Sequence, residues 1–282
     1  KKKNIQLACE LAKAIGSIEG FRPYELLTDP EDKSPLIKKV VDLLKKEVDF
    51  INLSYKGLTT FPEVLFQFPA IQYLSLNNNQ LKSLPKQMSV FEELVSLDLN
   101  HNQFDAVPQA IFSLGRLEEL FISHNALVEL PSEIVQLISL QCLFVGNNQI
   151  SNLPTALSRL ESLECLHLEN NRFTHWPAVL NELDLKSLSL RGNTIKEVPD
   201  PFDIASYEIL DFSYNPIEKL NFIQTNICSF LETVEIEGTR LSVKNIKKIK
   251  RILEGLEDDH IHIPTPPWEE IRRQHSFWFQ RE

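Results

Sequence analysis

The chain has few glycines, few cysteines and no long apolar segment. Only eight glycines occur among its 282 residues, and neither GxxxxGK(S/T) nor GxGxxG is present, which excludes the common phosphate-binding loops. Its four cysteines lie apart without CxxC spacing, a pattern typical of a reducing compartment rather than of a disulfide framework. No run of 18 uncharged apolar residues occurs, so we expect no membrane-spanning helix.

Catalytic and metal-binding motifs are also missing. The sequence contains no HExxH, DxDxDG or GxSxG, the signatures of zinc peptidases, calcium loops and serine hydrolases. Of the seven histidines, only His260 and His262 lie close together, beside Asp258 and Asp259. These four groups can hold a divalent metal, but a solvated linker explains them better. We therefore expect no enzymatic activity, no cofactor and no bound metal.

Positive charge is scarce in the middle of the chain. Residues 48–241 hold 11 basic and 24 acidic residues, whereas the segments on either side are nearly neutral. An acidic surface repels phosphate backbones, so we expect no nucleic-acid ligand and a basic or neutral partner. The amino end is too charged for a secretory signal, which favours a cytoplasmic location. Because it starts at Lys1, the sequence also fits a fragment of a longer protein.

The sequence does contain a repeat. The pattern Leu-x-x-Leu-x-Leu-x-x-Asn-x-Leu recurs every 23 residues from Val48 to Leu163, and the next copies follow at intervals of 22, 22 and 24. The clearest copies are IQYLSLNNNQL from 71, LVSLDLNHNQF from 94, LEELFISHNAL from 117, LQCLFVGNNQI from 140, LECLHLENNRF from 163 and LKSLSLRGNTI from 185. Weaker copies begin at Val48, Tyr207 and Leu231, so nine repeats fill residues 48–241.

These residues resemble the leucine-rich repeat family, in its intracellular Ras-group-like or bacterial effector-type class with 23-residue repeats. The resemblance implies an α/β fold: a right-handed leucine-rich repeat solenoid, or horseshoe, with a parallel concave sheet and helical caps at both ends. It also implies a protein ligand, in signalling or scaffolding, or a host protein if the source is a bacterial pathogen. Bacterial ubiquitin-ligase effectors use shorter repeats, and that subfamily fits poorly.

Each position of the repeat predicts a physical role. The first, fourth, sixth and eleventh residues point inward and fill one elongated core, because neighbouring repeats pair their short strands in parallel. The asparagine column lies where the chain turns inward, and we expect its amides to bond to backbone groups that the turn leaves buried; its members are Asn79, Asn102, Asn125, Asn148, Asn171, Asn193 and Asn215. The prolines that follow, such as Pro131 and Pro154, suit the exit towards short helical returns.

The two ends are predicted to be caps. Residues 1–47 form a helical amino-terminal cap, with amphipathic helices over 4–16 and 34–48; alternatively, residues 4–46 form an independent interaction helix pair. Residues 242–282 form a capping helix over 242–255, with Val243, Ile246, Ile249 and Leu253 inward, and an aromatic tail. In that tail Trp268, Trp278 and Phe279 form one helical stripe, which packs on the repeats or makes a second contact with a partner.

The third, fifth, seventh and eighth positions of the repeats form four columns that we expect on the concave face or its rim. Phe121 and Phe144 then stack on adjacent strands, outside the core. We predict that they centre a partner-binding surface, bordered by Tyr73, Asp98, His101, His124, His167, Glu169 and Arg191. The alternative is that the two rings merely pair with each other across strands. Alanine at both positions is expected to abolish binding and leave thermal stability nearly unchanged. Cys142 and Cys165 lie side by side there, as free thiols in a reducing compartment or as a strained bridge after oxidation.

The sequence thus predicts a non-enzymatic protein-recognition module that acts as a scaffold, adaptor or bacterial effector. We expect a protein partner, no nucleic acid, no membrane and a monomer when free, located in the cytoplasm or delivered into a host cytoplasm. The main alternative is the recognition domain of a larger signalling enzyme, such as a GTPase, kinase or ubiquitin ligase. A third is a small-ligand or metal sensor that uses Asp98, His101 and His124.

Overall fold

Nine short strands form the framework of the protein. The computed structural model describes residues 48–200, 203, 206–221 and 231–252. Within these ranges the strands are three residues long and lie in one parallel sheet whose spatial order is the chain order: β1 Phe50–Asn52, β2 Tyr73–Ser75, β3 Ser96–Asp98, β4 Glu119–Phe121, β5 Cys142–Phe144, β6 Cys165–His167, β7 Ser187–Ser189, β8 Ile209–Asp211 and β9 Thr233–Glu235. The nine predicted repeats are confirmed as nine strands of one open sheet.

Short 3₁₀ helices connect six of the strands to their successors. They span Glu63–Gln67, Lys86–Val90, Gln109–Ser113, Ser132–Gln136, Thr155–Arg159 and Ala178–Glu182. Each follows a proline in an extended conformation, because proline fixes φ and lacks the N–H that a helical start would leave unpaired. The predicted role of the prolines is confirmed.

One elongated core fills the space between the sheet and the 3₁₀ helices. The central residue of every strand is fully or almost fully buried, as Leu97, Leu143 and Leu188 show. Residues from the 3₁₀ helices, including Met88 and Ile134, belong to the same cluster. Burial of each such side chain contributes about 1.5–3 kcal/mol, and because only neighbouring repeats touch, stability adds up along the stack.

The asparagine column holds the turn after each strand. In the third repeat the amide of Asn102 donates to the carbonyl oxygens of Leu76 at 3.0 Å and Leu99 at 3.1 Å. Its side-chain oxygen accepts a hydrogen bond from the backbone N–H of Leu81 at 2.9 Å. The same three-way arrangement recurs at the other six positions, for example at Asn148. The predicted structural role of these residues is confirmed.

The carboxyl-terminal helix agrees with the sequence prediction only in part. Helix α1 spans Val243–Ile252, and the hydroxyl of Ser242 accepts a hydrogen bond from the N–H of Asn245 at 3.2 Å, as expected of an N-cap. Ile249 is buried, but Val243 is 69% exposed, so its predicted inward position is wrong. Val243 is the first residue of the helix and lines an open cleft with Glu218 and Lys219.

Several predictions fall outside the described residues. They are the helices over 4–16 and 34–48, the metal-like pair His260 and His262, Leu253, and the tail with Trp268, Trp278 and Phe279. Within the described residues, no helix has the length and apolar character needed to cross a membrane.

Candidate functional site

The face of the sheet turned away from the core, here called the concave face, carries the third and fifth columns. Register pairs every residue with its counterpart in the next repeat, so that Phe121 lies opposite Phe144 and Cys142 opposite Cys165. These four residues form a second buried cluster that is separate from the main core. The main core does not include them.

Three aromatic rings of the fifth column contact one another at the centre of this face. The ring centroids of Phe121 and Phe144 lie 4.6 Å apart at 10° between planes, and His167 meets the edge of Phe144 at 4.5 Å and 70°. The predicted stacking of the two phenylalanines is confirmed. Aromatic pairs in such contact stabilise each other beyond the effect of their buried area.

The expected exposure of the two phenylalanines is wrong. Phe121 is 4% exposed and Phe144 is 3% exposed. Neighbouring parallel strands lie only about 4.8 Å apart, so each ring is covered on both sides by the side chains of adjacent repeats. Alanine substitutions here would leave a cavity. We therefore expect them to lower thermal stability, contrary to the prediction from the sequence.

Asp98 is also buried rather than placed on the surface. Its carboxylate accepts hydrogen bonds from the side-chain amide of Asn77 at 2.6 Å and the backbone N–H of Asn100 at 3.0 Å. It acts as a structural acceptor where β3 ends. Among the described residues, no three His, Cys, Asp or Glu side chains are arranged to hold a metal ion, and this includes Asp98, His101 and His124.

The eighth column forms an exposed rim beside the concave face. His101 and His124 are exposed there, and their imidazole rings stack at a centroid distance of 3.9 Å with 14° between planes. Both residues have left-handed backbone angles, with φ of 52° and 55°. Their N–H groups donate to carbonyl oxygens of the following repeat, Ser123 and Gly146. The rim therefore extends the parallel ladder while it directs its side chains into solvent.

The left-handed conformation is common to the whole eighth column and was not predicted from the sequence. Positive φ angles occur in this column at Tyr55, Asn78, His101, His124, Asn147, Asn170, Gly192, Tyr214 and Gly238. Asn and Gly are the residues that adopt this conformation most readily. Their abundance at this position is the signal that could have identified the rim in advance.

Acidic groups surround the aromatic centre. Burial raises the pKa of Glu119 on β4 to about 7, although a hydrogen bond with Ser96 opposes the shift. Burial raises the pKa of Tyr73, and the carboxylate of Glu119 raises it further by a smaller amount. The carboxylate of Glu169 lies over Gly146, where any side chain would clash with it. One oxygen of Glu169, Oε2, is buried and has no hydrogen-bond partner among the described residues.

A second charged group lies on the last strands. The guanidinium carbon of Arg191 lies 4.4 Å above the ring of Tyr214, a cation–π contact. Burial, and to a smaller extent the carboxylate of Asp211, raise the pKa of Glu235 to about 7, while the guanidinium of Arg191 opposes the shift. Asp211, Tyr214 and Glu235 were not predicted as site residues, although they belong to the fifth and eighth columns that the repeat defines.

Comparison with known proteins agrees with this architecture. A family model described as leucine rich repeat matches the chain over residues 47–104, 92–150 and 115–173. No curated protein matches the chain. Among solved structures, the leucine-rich repeat ectodomain of the plant membrane receptor kinase GASSHO1/SCHENGEN3 from Arabidopsis thaliana, in complex with CASPARIAN STRIP INTEGRITY FACTOR 2, is similar with a TM-score of 0.50 and 27% identity. The match covers 62% of this chain and only 25% of that ectodomain.

Two bacterial proteins are also similar. An internalin (inlF) from Listeria monocytogenes str. 4b F2365 has a TM-score of 0.49 and 19% identity, over 77% of this chain and 55% of the internalin. The leucine-rich repeat protein LIC12759 from Leptospira interrogans has a TM-score of 0.29 and 19% identity, over 78% of this chain and 97% of that protein.

Proposed function

We propose that this chain, a leucine-rich repeat protein over residues 47–173, is a protein-recognition module without enzymatic activity that binds its partner on the concave face. The observation that carries the proposal is the second cluster around Phe121 and Phe144, which the main core does not include. A row of packed aromatic rings outside the core gives a rigid base for a contact surface, and rigid aromatic centres with polar borders are typical of protein-binding hot spots.

The contact itself would fall to the side chains that solvent reaches. These are the exposed His101 and His124 on the rim, with Tyr73, Glu169 and Arg191, which are only partly buried. Phe121, Phe144, His167 and Asp98 would act from beneath, by holding the shape of the surface. A prearranged surface of this kind loses little conformational entropy when a partner binds.

The charge of the concave face favours a basic partner. In the third, fifth and seventh columns of the described repeats, Arg191 is the single basic residue, and the acidic residues are Asp98, Glu119, Glu169, Asp211, Glu235 and Glu237. The carboxylate of Glu169, one oxygen of which is buried without a hydrogen-bond partner, would turn outward to a lysine or arginine of the partner, because a buried acceptor without a donor is costly. Electrostatic complementarity of this kind mainly speeds association and selects the partner.

Two biological settings suit such a module. The first is a free scaffold, adaptor or bacterial effector, monomeric when unbound, in the cytoplasm or in the cytoplasm of a host cell. The second is the recognition part of a larger signalling enzyme. The resemblance to part of a receptor kinase ectodomain favours the second setting, and fold similarity alone decides neither.

A site-specific crosslinking experiment tests the proposal. A photo-crosslinking amino acid at position 124 would face the proposed partner, whereas the same group at position 175, also an exposed histidine, lies away from the concave face. We expect capture of a partner from the native source at position 124 that excess unmodified chain suppresses. Equal capture of the same protein from position 175 would contradict the concave site.

Once that partner is known, its affinity can be measured for His101→Ala with His124→Ala, and for the control His175→Ala. We expect the double variant to bind at least about tenfold more weakly, a loss of about 1.4 kcal/mol, since both imidazole rings would contact the partner directly. The control should bind like the unmodified chain. An unchanged affinity of the double variant would remove the rim from the site.

A further inference from the structure

We propose that Cys142 and Cys165 are a site of oxidative modification, at which a hydroperoxide converts two neighbouring thiols into a disulfide bond between β5 and β6. Both cysteines are free and lie directly opposite each other in the sheet register. The Cα atoms of residues paired in this way lie about 4.8 Å apart. Disulfide-bonded cysteines have Cα atoms roughly 4.4–6.8 Å apart, so this spacing permits a disulfide bond. The two side chains lie on the same face of the sheet and belong to one small buried cluster, so the thiols are direct neighbours.

The two cysteines have different surroundings along the third column. Its order across the sheet is Glu119, Cys142, Cys165 and Ser187. The hydrogen bond with Cys165, burial and the carboxylate of Glu119 all raise the pKa of the Cys142 thiol. On the other side, hydrogen bonds from Cys142, His167 and Ser187 lower the pKa of the Cys165 thiol against the effect of burial. Cys165, which shares its strand and sheet face with His167 and is not the register partner of Glu119, is thus the nucleophile and Cys142 the resolving thiol.

The cysteine pair lies nearer to solvent than the main core does. Cys142 is 4% and Cys165 is 6% exposed, whereas the core residues Leu143 and Leu166 beside them have no exposed surface at all. The pair lies on the concave face and outside the main core. With so little exposed surface, we expect a small hydroperoxide to react with the pair faster than a bulky disulfide reagent does.

The chemistry balances with a hydroperoxide as the oxidant. The Cys165 thiolate attacks one peroxide oxygen, the O–O bond breaks, and the leaving hydroxide takes up a proton to give water. The resulting sulfenic acid is two electrons more oxidised than the thiol. The Cys142 thiol then loses its proton and attacks the Cys165 sulfur; the S–O bond breaks and a second water leaves. Two thiols and one hydrogen peroxide therefore give one disulfide and two waters.

Peptide mapping of the full chain tests this inference without any substitution. Trypsin cleaves after Arg116, Arg159 and Arg172, so Cys142 falls in peptide 117–159 and Cys165 in peptide 160–172, while Cys9 and Cys228 fall in other peptides. After hydrogen peroxide treatment and non-reducing digestion, we expect these two peptides to be joined, with a combined mass two hydrogens lower. Peptides that stay separate while the other cysteines are oxidised would overturn the proposal, and so would equally fast linkage in urea-unfolded chain.

Two matched variants test the separate roles of the cysteines. In Cys142→Ser we expect a sulfenic acid trapped at Cys165 by a dimedone-type probe, because the resolving thiol is missing. In Cys165→Ser we expect loss of that labelling, since Cys142 is the weaker nucleophile. Stronger labelling of Cys142 than of Cys165 would contradict the assignment. Circular dichroism confirms that both variants are folded, and neither measurement depends on a partner protein.

Discussion

The imidazole rings of His101 and His124 stack face to face with centroids 3.9 Å apart, although 23 residues separate them in the sequence. The repeat produces this contact, because residues one period apart occupy the same place on adjacent repeats. Both histidines also have left-handed backbone angles. The pair therefore shows two properties of the rim: side chains that stack from repeat to repeat, and a left-handed backbone.

The backbone of the rim predicts which substitutions His124 tolerates. We expect His124→Gly to leave the free energy of unfolding nearly unchanged, because glycine adopts positive φ without strain. His124→Val should lower it by about 1–2 kcal/mol, since a β-branched side chain is strained in this conformation. Urea unfolding of the two variants checks the prediction. Equal stability of the glycine and valine variants would show that the conformation is not maintained in solution.

The buried aromatic stack predicts a loss of stability when Phe144 is truncated. We expect Phe144→Ala to lower the free energy of unfolding by about 3 kcal/mol, because the ring packs between Phe121 and His167 and its loss leaves a cavity. Ile138→Ala is the matched control, since Ile138 is an apolar residue that is 70% exposed. Urea titration followed by circular dichroism measures both variants. If Phe144→Ala cost no more than the control, the ring would have to be exposed in solution.

The asparagine column predicts a similar loss from a polar side chain. Asn148→Ala removes donors to Ile122 and Val145 and an acceptor for the N–H of Leu127. The buried backbone groups left without partners should lower the free energy of unfolding by about 2–4 kcal/mol. Asn152→Ala, at an exposed position, is the control and should change little. Thermal melts of both variants give the comparison, and equal melting temperatures would refute the structural role.

The raised pKa of Glu119 predicts a pH dependence of stability. Burial raises this pKa from its ordinary 4.5 to about 7, so the folded chain binds a proton more tightly than the unfolded chain does. The contribution of Glu119 to the free energy of unfolding is therefore fully present below about pH 4.5 and is lost as the pH rises through about 7.

Replacing the carboxyl group tests that dependence. We expect Glu119→Gln to be more stable than the unmodified chain above pH 7, by an amount on the order of 1 kcal/mol, and to show a flatter stability profile between pH 4.5 and 7. Glu161→Gln, at an exposed position, is the control and should keep the profile of the unmodified chain. Chemical unfolding at a series of pH values provides the measurement. A Glu119→Gln profile as steep as the control's would assign the pH dependence to other groups.

The fold was largely predictable because the repeat specifies it many times over. Nine copies of one pattern predict nine strands, and each copy constrains the register of its neighbours, as the pairing of Leu97 with Leu120 and Leu143 with Leu166 illustrates. The prolines and asparagines were interpreted correctly because each has one conformational property that the turn requires. Val243 was misplaced because helical periodicity identifies a face of the helix and does not show which residues of that face are covered.

The candidate site was less predictable. The columns correctly placed Phe121 beside Phe144 and His101 beside His124. They did not reveal that the first pair is buried and the second exposed, that Asp98 is occupied by backbone and side-chain donors, or that Glu169 folds over Gly146. Such contacts depend on the volume and orientation of side chains in adjacent repeats.

The sequence by itself determined the period, and with it the strands, the direction of each side chain and the set of residues that share a column. Periodicity is sufficient for this because side chains alternate across a strand and repeats of equal length stack in register. Only the tertiary structure decided which members of a column reach solvent. Cys142 and Cys165 show the difference: their positions side by side follow from the repeat, whereas the burial of both thiols follows from the packing of adjacent repeats.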